Sequence, residues 1–230
     1  MNAYIIVEGS RTEMKVYPRW LEIIAPRLQR VKHLSEIKDY NYYLFSGGGI
    51  PSIYNHIANA AEDIIDFNLK GNGRIDYLLV CIDTEEESRE YILEQIYQEL
   101  NQRKIVLQDL RLEVFEQKVS MESWFLANRK IFKTNPEDDV LRKYIRHYNV
   151  REKDPEMMEN IDENLFSTKA QFHHAYLKKI FAERHICYSK SNPSEVCNDD
   201  YLKQIIKRYL ETGHVCSFGR WYNFAITNFR

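Results

Sequence analysis

The sequence predicts an α/β protein built on a mostly parallel sheet. In the first half of the chain, short apolar runs rich in β-branched and aromatic residues alternate with longer segments whose apolar residues recur at helical spacing. The resulting order, β-α-β-α-β-α-β, is typical of about four mostly parallel strands with helices on both faces. The second half shows helical patterns, so a helical C-terminal elaboration completes the predicted fold.

The first predicted strand is the apolar run at 3–7, with the sequence AYIIV. Gly9 allows a tight turn directly after it. Residues 11–25 then carry apolar side chains at near-helical spacing, which predicts the first helix.

The second predicted strand, 42–45, leads into the glycine-rich segment 46–49, SGGG. This segment could hold a phosphate with its backbone N–H groups, although a simple strand-to-helix turn is the more common outcome. Pro51 suits the first turn of the next helix. The other elements predicted for this half are a helix at 52–69, a strand at 77–82, a helix at 86–103 and a strand at 111–116.

The chain changes character after the fourth predicted strand. Ser120 is a plausible helix cap, and the core domain is expected to span residues 1–127. Residues 128–230 are expected to form a mainly helical elaboration packed on that core. Its acidic stretch at 153–164 predicts an irregular excursion or an inserted helical subdomain. Further helices are predicted at 168–184, 198–212 and 215–228.

Composition limits the classes of function. The net charge of −2 excludes a polycation that binds nucleic acid indiscriminately, so any nucleic-acid site must be a local patch. Arg142, Lys143, Arg146 and His147 form one basic stripe of this kind, although a solvated helix face is the more common meaning. Four scattered cysteines, no signal-peptide pattern and no long apolar run lead us to expect a cytoplasmic protein with reduced thiols.

Acidic side chains follow two of the predicted strands. Glu8 follows the first strand, and Asp83 and Glu85 follow the strand at 77–82. If these strands are neighbours, the three carboxylates converge at the carboxyl edge of the sheet, where α/β proteins bind ligands. Convergent carboxylates need a divalent cation, and Mg²⁺ (or Mn²⁺) prefers such oxygen ligands. Phosphodiester cleavage commonly uses two ions, so Glu13 and Glu122 are candidate additional acids.

Each acid also has a simpler interpretation. Glu8 before a glycine is often only part of a turn. Asp83 and Glu85 could cap the helix predicted at 86–103 and complement its dipole. Glu122 could be a first-turn helix acid, and Glu13 could lie on a solvated helix face.

The residues around these acids resemble the TOPRIM domain of topoisomerases, primases and related nucleases. Val7-Glu8-Gly9 matches the glutamate motif after the family's first strand, and Asp83-Thr84-Glu85 matches its Asp-x-Asp motif. The last acid departs from the family because it is Glu instead of Asp. The fuller pattern, VEGxxTE at 7–13 and SxESWFLA at 120–127, resembles the small stand-alone TOPRIM proteins of bacterial defence. These are relatives of the OLD-type nucleases and include the RloB-like group and the TOPRIM partner of PARIS.

The resemblance implies a TOPRIM-like fold over residues 3–127 and a Mg²⁺- or Mn²⁺-dependent nuclease. Glu8 would bind metal or act as a general base, and Asp83 and Glu85 would hold the ion. In OLD-type sites a glutamate in an S-x-E context and a late lysine contribute, which implies accessory roles for Glu122 and Lys190. Lys190 is otherwise a surface lysine.

The same resemblance implies a toxic effector of anti-phage defence (abortive infection). Such effectors act with a partner ATPase of the ABC or OLD type, and a homodimer is also expected. Two alternatives stay open, namely a housekeeping nuclease that processes RNA and a TOPRIM module that docks to a partner without cutting. The Glu85 departure keeps the second alternative open, and nothing in the sequence chooses between RNA and DNA.

Overall fold

The structure, a computed structural model, describes residues 1–71 and 73–230. Its centre is a five-stranded, all-parallel sheet with the strand order β2-β3-β1-β4-β5. The strands are β1 (Ala3–Val7), β2 (Gln29–Val31), β3 (Asn41–Ser46), β4 (Tyr77–Asp83) and β5 (Arg111–Gln117). The helices of the described ranges are α1 (Glu13–Ile24), α2 (Ser52–Lys70), α3 (Arg89–Gln102), α4 (Met121–Phe125), α5 (Asp139–His147), α6 (Lys169–Glu183), α7 (Asp199–Thr212) and α8 (Cys216–Phe229).

Strand β1 lies in the middle of the sheet because every one of its residues can be buried. All five side chains are apolar and all are buried, as expected for a parallel strand covered on both faces. It pairs with β3 on one side and β4 on the other, with Val7 opposite both Ser46 and Cys81. Strands β1 and β4 are therefore neighbours whose carboxyl ends lie at the same edge of the sheet.

The described chain divides into two compact units. The first contains Met1–Ile82, Glu87–Glu116 and Tyr222–Arg230, and the second contains Asp83–Glu86 and Gln117–Trp221.

In the first unit, helices cover both faces of the sheet. Alternate strand residues, among them Ile6 and Val80, share one apolar core with helices α2 and α3. On the opposite face, Tyr17 of α1 hydrogen-bonds Cys81. The ring of Tyr77 also packs edge-to-face against Phe224, with ring centroids 5.3 Å apart.

In the second unit, aromatic side chains hold the helices together. The ring of Tyr144 on α5 packs edge-to-face against Phe172 on α6, with centroids 5.1 Å apart. The Trp124 indole of α4 donates to the Ser217 hydroxyl of α8 at 2.7 Å. The carboxylate of the buried Glu156 accepts hydrogen bonds from the backbone N–H and hydroxyl of the same serine. The buried Trp124, Glu156 and Ser217 side chains thus satisfy one another within the unit.

The α/β class and the C-terminal helices are confirmed, and the sheet has five strands instead of about four. The additional strand, β2, has only three residues, of which Gln29 and Arg30 are exposed, so it carries no apolar pattern. Helix α3 begins at Arg89 because the Ser88 side chain accepts the Tyr91 N–H at 3.1 Å. Helix α5 was not separately predicted within the charged segment after residue 128.

No helix within residues 1–71 and 73–230 combines the length and the apolar character needed to cross a membrane.

Candidate functional site

The backbone of Glu8 is fixed in the first unit by strands on both sides. Its N–H donates to the Cys81 carbonyl at 3.1 Å, which extends the β1–β4 ladder by one residue. Its carbonyl accepts from the Ser46 hydroxyl at 3.4 Å. The side chain is half-buried. The sheet therefore determines where this carboxylate leaves the chain.

Glu13 closes the turn that follows Glu8. Its Oε1 accepts the Gly9 N–H at 3.0 Å, and the side chain is buried. A Cβ atom at Gly9 would overlap the Glu13 carboxylate, so a larger residue here would have to displace the end of the Glu13 side chain. The interpretation of Glu13 as part of a solvated helix face is therefore wrong.

The glycine-rich segment 46–49 borders the Glu8 carboxylate. A Cβ atom at Gly49 would lie 3.8 Å from Glu8 Oε1, and Gly48 adopts a left-handed conformation with a φ of 69°. Gly47 continues the ladder, since its N–H donates to the Val7 carbonyl at 2.9 Å. The segment is a strand-to-helix turn, and a role in holding phosphate stays a prediction.

The Asp83-Thr84-Glu85 segment is fastened to residues 117–119 within the second unit. The Thr84 N–H donates to the Gln117 carbonyl at 3.2 Å, and the Glu85 N–H donates to the Val119 carbonyl at 2.9 Å. In return, the Val119 N–H donates to the Thr84 hydroxyl at 3.0 Å. The acidic segment is thereby anchored immediately before the Ser120-Met121-Glu122 motif.

Two residues of this contact have left-handed backbones. Glu85 has a φ of 47° and Val119 a φ of 70°, values that are costly for residues with side chains and for a β-branched residue above all. Strain of this kind is concentrated at functional sites, where the surrounding structure enforces it. The Glu85 N–H and the Val119 carbonyl, which hydrogen-bond each other, belong to these two strained residues.

The cap interpretation of Asp83 and Glu85 is wrong. The side chain that caps α3 belongs to Ser88, and α3 begins at Arg89. Asp83 is instead the last residue of β4, half-buried, and the Glu85 side chain is exposed.

Glu122 is a buried carboxylate with side-chain partners. It lies in the first turn of α4, as its simpler interpretation requires, but it is only 3% exposed. Its Oε1 accepts from His174 Nδ1 at 3.1 Å and from the Tyr188 hydroxyl at 3.3 Å. Burial raises the pKa of Glu122, but the His174 hydrogen bond and the charge of Lys190 outweigh it and hold the pKa below its usual range. The carboxylate is therefore ionised at neutral pH.

Sequence reasoning missed His174 and Tyr188 as neighbours of this acid. His174 lies 52 residues after Glu122 and Tyr188 lies 66 residues after it. The one available signal was the position of Tyr188 two residues before Lys190. Lys190 itself is exposed and close enough for its charge to act on Glu122.

His173, the neighbour of His174, is buried, and both of its ring nitrogens hydrogen-bond groups of the protein. Its Nε2 donates to the Met158 carbonyl at 2.8 Å, and the Ser123 hydroxyl lies 2.8 Å from its Nδ1. Because a carbonyl only accepts, Nε2 carries the proton and Nδ1 accepts from Ser123. Burial lowers the pKa of His173 to about 4, so the ring is neutral at physiological pH.

Four of the six predicted site residues lie in the second unit. The segment that carries Asp83 and Glu85 hydrogen-bonds residues 117–119, which precede Glu122 by three residues, and the charge of Lys190 acts on Glu122. The other two, Glu8 and Glu13, lie on the Gly9 turn of the first unit.

The chemistry of the donor set fits a divalent cation, since Mg²⁺ and Mn²⁺ bind carboxylate oxygens. Within residues 1–71 and 73–230, no three His, Cys, Asp or Glu side chains are already arranged as ligands of one ion. The metal ligands Glu8, Glu13, Asp83 and Glu85 therefore stay a prediction.

Comparison with protein families, curated proteins and solved structures finds no match for this chain.

Proposed function

We propose that this protein is a Mg²⁺- or Mn²⁺-dependent nuclease that hydrolyses phosphodiester bonds in RNA or DNA. The observation that carries the proposal is the anchoring of the Asp83-Thr84-Glu85 segment to residues 117–119, directly before Glu122. This contact joins two acidic motifs that are more than thirty residues apart in the sequence. A rigidly held pair of acidic motifs supplies the oxygen ligands that metal-assisted hydrolysis needs.

The roles follow from the chemistry of each side chain. Asp83 and Glu85 would hold the ion from their anchored segment, with Glu13 as a further candidate ligand. Glu8 would bind metal or accept the proton of the attacking water. When bound, the ion would supply an activated water and would stabilise negative charge on the phosphate.

Glu122 and Lys190 would act as a pair. The positive charge of Lys190 lowers the pKa of Glu122 and so favours its ionised form. The exposed ammonium would contact a phosphate oxygen and offset its developing charge. His174 and Tyr188 would orient the Glu122 carboxylate through their hydrogen bonds.

The biological setting follows from the resemblance to stand-alone TOPRIM proteins. We propose a cytoplasmic effector of anti-phage defence that acts with a partner ATPase of the ABC or OLD type. The chain has no Gly-Lys-Ser/Thr phosphate loop of its own, which is consistent with a separate ATPase. A homodimer is part of the same proposal.

The test is a cleavage assay on tRNA, rRNA, single-stranded DNA and double-stranded DNA with Mg²⁺ or Mn²⁺. We expect metal-dependent cleavage by the wild type and loss of at least a hundredfold in Glu8→Gln and Asp83→Asn. Asp66→Asn on α2 and Glu163→Gln are matched controls, since both side chains are exposed and outside the candidate site. Both controls should cut like the wild type.

The outcomes separate the proposed functions. Equal activity in Glu8→Gln, Asp83→Asn and the controls would show that the carboxylates do not act in the reaction. Absence of both cleavage and divalent-ion binding by calorimetry would favour the docking module. Ion binding without cleavage would indicate that the partner ATPase is required, and its addition should then restore cutting.

A further inference from the structure

A basic groove lies in the second unit, around the beginning and end of helix α5. The groove has a volume of about 400 Å³. Its walls carry four cationic side chains and a single acidic one, Glu152. The cationic side chains are those of Lys133, Arg142, Arg146 and Arg151.

The amphipathic pattern of α5 determines which side chains face the groove. Leu141 and Tyr144 are buried, so the helix presents Arg142 and Arg146, one turn apart, on its outer side. The Asp138 side chain caps the helix by accepting the Leu141 N–H at 2.8 Å. The position of this basic face is therefore fixed by packing.

The turn after α5 adds Arg151 to the same groove. The Asn149 side chain accepts the Arg151 N–H at 3.2 Å, and the Glu152 N–H donates to the Asn149 carbonyl at 3.0 Å. The Arg151 carbonyl accepts from Arg129 Nε at 3.2 Å. The backbone of this turn is fixed, and the Arg151 side chain is exposed.

The four cations differ in their charge partners. Lys133 Nζ lies 3.2 Å from a Glu183 carboxylate oxygen, and Arg142 pairs with Asp139 and donates to the Pro136 carbonyl at 3.0 Å.

Arg146 and Arg151 differ from the first two cations. Within residues 1–71 and 73–230, neither forms an ion pair with a carboxylate. Their two guanidinium groups carry positive charge that no ion pair among the described residues offsets, and Glu152 is the one acidic side chain that lines the groove with them.

We infer that this groove binds the phosphodiester backbone of the nucleic-acid substrate, with Arg146 and Arg151 as its phosphate contacts. The inference rests on the proposed function for the identity of the ligand. A guanidinium group matches a phosphate with two parallel N–H donors, and it keeps its charge at every physiological pH. In a protein of net charge −2, two such groups in one groove give the local patch that backbone binding requires.

The test measures binding in EDTA, where a metal-dependent nuclease cannot cut. Fluorescently labelled 20-nucleotide single strands of RNA and DNA and the corresponding duplexes are titrated with wild type and with the double variant Arg146→Gln/Arg151→Gln. We expect the variant to bind at least one of these ligands about tenfold more weakly. For a single strand, the slope of log K against log salt should fall by about 1.4, or about 0.7 for each lost phosphate contact.

The control variant removes the same charge elsewhere. Arg30→Gln/Lys70→Gln alters two exposed cations of the first unit and should change affinity less than twofold. Arg146→Lys/Arg151→Lys keeps the charge without the planar fork, so it should keep the wild-type salt slope and recover part of the affinity. Thermal melting monitored by circular dichroism will show whether the glutamine variant folds. If it folds poorly, the lysine variant takes its place in the binding test.

Several results would overturn the inference. They are no binding of any ligand by the wild type, equal weakening in the control, or equal affinity for a poly-glutamate peptide. Failure of the nuclease proposal is recognised separately, in the cleavage assay with metal and the Glu8 and Asp83 variants. The binding assay contains no free metal ion and measures affinity alone.

Discussion

Glu8 and Glu122 are both carboxylates next to the ends of strands, but they are held in different ways. Glu8 is positioned through its backbone, which hydrogen-bonds Cys81 and Ser46 of the neighbouring strands. Glu122 is positioned through its side chain, which is buried and accepts from His174 and Tyr188. Removing the Glu8 carboxylate leaves these backbone hydrogen bonds in place, whereas removing the Glu122 carboxylate takes the acceptor away from His174 and Tyr188.

Because the two glutamates are held differently, the same substitution by alanine should lower the free energy of unfolding by different amounts at the two positions. Glu122→Ala removes the acceptor of two partly buried donors and leaves a cavity, so we expect a loss of about 4 kcal/mol in the free energy of unfolding. Glu8→Ala should cost less than about 1 kcal/mol, because the half-buried side chain is replaced while the backbone bonds persist. Urea unfolding of both variants measures the difference.

A control for that experiment is Glu122→Gln, which keeps the size of the side chain and one acceptor oxygen. It should recover more than half of the stability lost in Glu122→Ala. A Glu8→Ala variant as unstable as Glu122→Ala would contradict the comparison, since the backbone would then not be what holds the Glu8 turn.

His173, which is buried in the second unit, makes the free energy of unfolding depend on pH. Its pKa is lowered by burial from 6.5 to about 4. As the pH falls below 6.5 the unfolded chain takes up a proton that the folded chain refuses, so stability is present above pH 6.5 and is lost as the pH falls toward 4. The shift corresponds to a loss of about 3 kcal/mol at its full extent.

The measurement is the free energy of unfolding at several values between pH 7 and pH 4. His173→Gln should be less stable than the wild type at pH 7, yet its profile across this window should be flatter. His33→Gln, at an exposed position, should keep the slope of the wild type. Identical slopes for the wild type and His173→Gln would contradict the assignment of a neutral, buried ring.

The contrast between Glu8, held by its backbone, and Glu122, held by its side chain, also explains which features the sequence could predict. The strands β1, β3, β4 and β5 could be predicted from local residue patterns, whereas the sequence left their order in the sheet open. The strand β2 was missed because an exposed edge strand of three residues needs no apolar alternation. The side-chain partners of Glu122 could not be predicted, because His174 and Tyr188 lie 52 and 66 residues away and no local pattern fixes such contacts.

Thr84 tests whether the two acidic motifs of the second unit depend on each other. Thr84→Val removes the hydroxyl that accepts the buried Val119 N–H, which should cost about 2 kcal/mol in the free energy of unfolding. If the proposed nuclease function holds, cleavage should also fall about tenfold, because the segment that carries Asp83 and Glu85 loses one of the three hydrogen bonds that anchor it. Thr84→Ser keeps the hydroxyl and should lose less than a quarter as much stability. Equal stability of the Val and Ser variants would show that the Thr84 bond does not hold the segment.

The smallest expected change in the free energy of unfolding concerns the Gly9 turn that follows Glu8. Gly9→Ala introduces a Cβ atom into the space of the Glu13 carboxylate, which must rotate away from the Gly9 N–H. Because Glu13 is long and can adjust at its far end, we expect a loss of only about 1 kcal/mol, the contribution of one hydrogen bond.

The matched change is Gly49→Ala, whose Cβ would make an ordinary contact 3.8 Å from Glu8 Oε1. Urea unfolding should find Gly49→Ala within about 0.5 kcal/mol of the wild type. The double variant Gly9→Ala/Glu13→Ala removes both the overlap and the carboxylate. It should be no less stable than Glu13→Ala alone, because the alanine at position 9 then meets an empty space. A further loss in the double variant would mean that the backbone of the turn, and not the Glu13 carboxylate, is what requires glycine there.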